Sequence, residues 1–185
     1  MITHQLQTLY GVIEDASDKK SLSISVLKQI LLSYMSGQQK TKNADQAAIS
    51  RILNQYCTKV AVLSLYSYAV QEVDAYSRQR HIGGEPIRNL QAVSDKLEQA
   101  VNRCWLIEIA LEKICHDIFS NAIDGDFSTI ERQLLRLSNV FKSEFIPGFD
   151  DILFIMGAKG YMISHAVANI WEEINAWHHT AETHR

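Results

Sequence analysis

The sequence predicts an all-α protein, an up-and-down helical bundle around a long antiparallel helix hairpin, and three observations predict it. Apolar residues recur at spacings of three and four along most of the chain, as they do on helices that bury one face. Only 2 of the 185 residues are Pro and 8 are Gly, too few for the tight turns of a many-stranded sheet. Those ten residues are also clustered. The intervals between Gly37 and Gly83 and between Pro86 and Gly125 contain neither type. With 46% hydrophobic residues, a chain of this size can bury a core without metals or disulfides.

The first expected helix, 3–14, places Leu6, Leu9, Tyr10 and Ile13 on one face, and the second, 23–35, uses Leu27, Ile30, Leu31 and Tyr34 before Gly37 caps it. These two N-terminal helices, within residues 1–37, are expected to pack alongside four main helices. The third helix spans about 44–80 on Leu53, Tyr56, Val60, Leu63 and Val70. Its middle, Val60–Val70, is apolar all round and calls for neighbours on several sides. His81–Pro86 is the strongest turn, with Pro86 suited to open the next helix.

The fourth helix carries Leu90, Val93, Leu97, Val101, Cys104, Ile107, Leu111, Ile114 and Ile118 toward about Ile123. Two long helices joined by so short a loop make an antiparallel hairpin. Asp124–Asp126 is a turn. Ser128-x-x-Glu131 reads as a capping box in which the Glu side chain reaches back over the helix start. The fifth helix uses Ile130, Leu134, Leu137, Phe141 and Phe145, and Pro147-Gly148 is expected to end it. The sixth is expected to begin at Asp150 and Asp151 and run to Trp177, leaving 178–185 as a frayed tail. No repeat, linker or composition break divides the chain, so residues 1–185 read as one domain.

A net charge of −3 supplies no global attraction to nucleic acid or anionic lipid. Locally the charge is uneven, about +3 over residues 38–59 and −4 over 123–185, a polarity that can orient protein partners or self-association. Cys57, Cys104 and Cys115 are odd in number and lack C-x-x-C spacing, which points to free thiols in a reducing cytoplasm. The N-terminus lacks the pattern of a signal peptide, and the longest apolar run falls short of the ~20 residues of a membrane span.

Candidate sites are few. Trp171, Ile174 and Trp177 form an apolar stripe near the chain's end, and with Tyr76 they make a candidate partner-binding set, because exposed aromatics anchor interfaces. Arg78, Arg80, His81 and Arg88 make a basic turn, and Arg with His can stabilise a phosphorane and move a proton, as a ribonuclease requires. Glu108, Glu112 and His116 share one helix face. The Glu-x-x-His signature of di-metal bundles needs a spacing of three and a second copy, and both are missing here.

Met156-Gly-Ala-Lys-Gly-Tyr-Met-Ile163 resembles the GxxG turn of KH RNA-binding domains. That fold requires a three-stranded sheet, and the flanking pattern here is helical. Gly157 and Gly160 therefore read as a kink or a close helix approach. No nucleophile elbow, P-loop or zinc motif is present. The sequence thus points to a non-enzymatic, cytoplasmic interaction module without a cofactor: an adaptor, chaperone or small subunit with protein partners, a homo-oligomer among them. A helical ribonuclease and a metal- or small-molecule-binding bundle are the alternatives.

Overall fold

The computed structural model describes residues 43–121, 127–161 and 166–182. The expected helices within 1–37 and the turn at 124–126 lie outside them. Over the described residues the protein is an all-α helical bundle. Helix α1 (Asn43–Gln79) leads through a minimal hairpin, β1 (His81–Ile82) and β2 (Glu85–Pro86), and a 3-10 turn (Ile87–Asn89) into α2 (Gln91–Asn121). Then come α3 (Ser128–Val140), a π-helical turn (Phe141–Phe145), α4 (Ile146–Met156), a 3-10 segment (Gly157–Tyr161) and α5 (Ala166–Glu182).

The hairpin pairs His81 with Pro86 and Ile82 with Glu85. Gly83 and Gly84 both have positive φ, 64° and 91°, the two-residue turn that matches strand twist and excludes most side chains. On α2 the buried residues Leu97, Ala100, Ile107, Leu111, Ile114 and Ile118, with half-buried Cys104, alternate at three and four. That spacing is a heptad seam.

The described residues group into two compact units. The first comprises 43–64, 108–121 and 127–137. Ile52, Tyr56, Leu111, Ile130 and Leu134 are fully buried in it. Arg51 bonds Glu131 at 2.5 Å, and Gln133 Nε2 donates to Asp117 Oδ2 at 2.8 Å. Helix α3 begins at Ser128, the Glu131 N–H donates to the Phe127 carbonyl at 3.0 Å, and the Glu131 carboxylate takes Arg51. Burial pushes the Cys57 thiol up to about 12 and pulls half-buried Lys59 down to about 8, because an apolar surrounding disfavours either charged form.

The second unit comprises 65–107, 138–161 and 166–182. Its core is aromatic. The Tyr66 ring lies 4.3 Å from Phe145 and 5.6 Å from Phe149, and Phe149 stacks on Trp171 at 5.0 Å. Rings of this size contribute roughly 1.5–3 kcal/mol each when buried. Lys96 binds Asp151, and Arg103 faces Glu144 and Asp151 at 3.8 and 3.9 Å.

Three sequence expectations fail in this unit. Pro147-Gly148 does not end a helix: α3 passes through the π turn into α4 with helical backbone at Val140, Phe145 and Ile146. In a regular helix the Pro147 ring would strike the carbonyl four residues back. The wide turn, closed by Ile146 N–H to Phe141 O, comes just before it, and Pro147 occupies the first turn of α4, where its missing N–H costs nothing.

Asp150 and Asp151 therefore sit inside α4 rather than at a helix start. The real stop is Gly157, with φ 59° and ψ −141°, backbone that a side chain resists. Gly160 follows with space for hydrogen alone, since a Cβ there would meet Leu153 O at 2.9 Å. The last helix is α5, and it ends at Glu182.

Candidate docking face

The basic turn forms a clamp. Asp74 accepts from Arg78 Nε through Oδ2 and from Arg88 Nε through Oδ1, both at 2.8 Å. One carboxylate of α1 thus gathers cations from both sides of the hairpin. Burial opposes the charge of Asp74, but the hydrogen bonds and charges of the two guanidiniums outweigh it and hold the carboxyl below its ordinary value. His81 Nδ1 lies 2.9 Å from the Gln79 carbonyl, and Arg80 and His81 are exposed.

The aromatic set is divided. Ile174 is buried, at 5% exposure, so it belongs to the core. Trp171 is half-buried and spends one face on Phe149. Lys159 Nζ stands 5.2 Å above the Tyr76 ring, a cation–π contact. The side chain of Trp177 lies outside the described residues. Glu108, Glu112 and His116 follow one another on α2, with His116 Nδ1 at 3.8 Å from Asp117. Among the described residues no three His, Cys, Asp or Glu side chains are grouped to hold a metal ion.

The structure adds two features that the sequence reading missed. One is a polar knot under α4. The Tyr66 hydroxyl and Arg103 Nη1 are buried without a hydrogen-bond partner. Both would lie 2.8 Å from a Cβ at Gly148, so this helix comes close because residue 148 has no side chain. Burial first, and the charge of Cys104 second, push the Tyr66 phenol up to about 12 against the pull of Arg103.

The other is an apolar row on α2. Val101, Trp105 and Leu106 are 54%, 60% and 60% exposed. Val101 and Leu90 share the apolar spacing expected of the fourth helix, yet both are exposed. Phe154 is more exposed still, at 71%, and carries Lys96 Nζ 5.6 Å from its ring centre. Beside the row a depression of about 340 Å³ opens between α1 and α2. Val70, Leu97 and Val101 supply its apolar wall, and Asp74, Arg88 and Glu98 supply its polar edge.

The heptad seam was the signal that could have exposed this row. With Leu97, Cys104, Leu111 and Ile118 at one seam position and Ala100, Ile107 and Ile114 at the other, Trp105 and Leu106 fall on the outward side. Compared with family models, with curated proteins and with solved structures, the chain matches none.

Proposed function

We propose that this chain is a non-enzymatic interaction protein of the cytoplasm, an adaptor, chaperone or small subunit that docks a protein partner on α2. The observation that carries the reading is the contiguous exposure of Val101, Trp105 and Leu106 on one rigid helix. An exposed Trp flanked by aliphatic side chains costs solubility unless a partner covers it, and Trp dominates the energetics of interfaces where it occurs. The neighbouring depression offers a slot for one apolar side chain, and its carboxylates give orientation. The Arg residues of the basic turn support the same reading, since Arg78 and Arg88 bind Asp74 and fasten the hairpin.

Native size fractionation of cell extracts tests it. The unaltered chain is expected in a complex larger than its own 21.0 kDa, and Trp105→Ala is expected to release it to monomer size with its helical content unchanged. Identical elution of the two would refute the reading.

A further inference from the structure

The depression between α1 and α2, about 340 Å³, lies at the small end of the roughly 300–1,000 Å³ of ligand pockets, and its two ends differ. The chain reverses at Gly83 and Gly84. Asp74, Arg88 and Glu98 therefore line the end toward that turn, and Val70 and Val101 line the far end. Leu97, buried like Val70, completes the apolar wall. The Arg88 side chain is only 22% exposed and spends Nε alone, on Asp74. Among the described residues its two Nη groups have no acceptor. Anchored through Nε, they form a pre-set fork of N–H donors, a shape that fits a carboxylate. Glu98 accepts from Ser94 Oγ through Oε1 at 3.0 Å, which leaves Oε2 for a second donor.

We propose that this depression binds a free apolar α-amino acid of the size of leucine. The ligand's carboxylate takes the Arg88 fork, its ammonium donates to Glu98, and its side chain covers Val70, Leu97 and Val101. Asp74 is already taken by Arg78 and Arg88, so one cationic fork and one carboxylate oxygen remain to be matched. A zwitterion with an apolar branch matches both. An alkyl amine leaves the fork without an acceptor, and an alkyl carboxylate brings a like charge to Glu98, and each mismatch lowers affinity. Binding here needs no protein partner, and its failure would leave the docking of a partner on Trp105 standing.

The test titrates the full chain, methyl-labelled at Val and Leu, with L-leucine and follows it by NMR. Saturable shifts are expected at Val70, Leu97 and Val101, with a Kd on the order of 1 mM for so small a ligand. The two single-charge analogues, 3-methylbutylamine and 4-methylpentanoate, should bind at least about tenfold more weakly. Arg88→Lys keeps a cation for Asp74 but loses the planar fork, and should weaken leucine about tenfold. Glu98→Gln, at an exposed position, should weaken it about threefold with the urea midpoint unchanged.

No saturable shift at these three residues by about 20 mM leucine overturns the proposal. So does equal binding of the amine or of the carboxylate, or full affinity for leucine in both Arg88→Lys and Glu98→Gln.

Discussion

Replacing Gly148 by Ala should destabilise the protein, although Ala is the better helix former. Gly148 lies in α4, where propensity alone favours Ala by up to about 1 kcal/mol. Its added Cβ would stand 2.8 Å from Arg103 Nη1, 2.8 Å from Tyr66 Oη and 3.2 Å from Arg103 Cδ. Both polar atoms are enclosed, so neither can swing into solvent. Forcing a methyl into a filled core costs about 1–3 kcal/mol. The net loss is about 1–2 kcal/mol, which for a chain of this length lowers Tm by roughly 2–6 °C.

A double-mutant cycle locates the cause. Tyr66→Phe removes a buried hydroxyl that has no partner, so on its own it should cost less than about 0.5 kcal/mol or stabilise. In that background one of the two closest contacts is gone, and Gly148→Ala should cost about 1 kcal/mol less than in the native chain. Urea midpoints of the four proteins measure this. A stabilising Gly148→Ala of equal size in both backgrounds would show that α4 does not sit on Tyr66 and Arg103.

Three further outcomes follow from the same contacts. Asp74→Ala should cost about 1 kcal/mol, mainly through the loss of half-buried Arg88 after allowance for solvent screening. Because the folded Asp74 carboxyl lies below its ordinary value, its contribution is present above about pH 4 and fades as pH falls through the folded pKa, a slope that the Ala variant should lack in acid unfolding curves. Lys59 has the opposite effect. It sits at about 8 when folded and near 10.4 unfolded, so stability rises with pH across that window, and Lys59→Met should flatten the rise and stabilise at pH 7 by on the order of 2 kcal/mol after screening. Gly157→Ala should cost about 1–2 kcal/mol by thermal melting, because its φ of 59° strains a side chain.

The helical architecture was legible because it rests on local pattern. Period 3.6 and the long gaps between Gly and Pro marked α1 and α2, and Leu53, Tyr56, Val60, Leu63 and Val70 are buried as expected. What failed was punctuation that depends on context. Pro147 reads as a stop in any linear scan, and only the π turn before it lets the helix continue. The need for Gly at 148 comes from Tyr66 and Arg103, which are far away in sequence.

The site was less legible for a related reason. Trp105 and Leu106 are apolar residues among apolar residues, and composition cannot say which side of α2 meets a neighbour. Ile174 has the same chemistry and is enclosed. In sequence the basic turn has the residue types of an active site, and only the fold brings the Asp74 carboxylate of α1 to both Arg78 and Arg88.

The most direct test of the docking account is photo-crosslinking in living cells, with benzoylphenylalanine in place of Trp105 and, as a control, in place of exposed Arg136. A discrete adduct at 105 that contains a second protein, is lost on Glu98→Lys and is missing at 136 is the result predicted. No protein adduct at 105, or the same adducts at both positions, would contradict it.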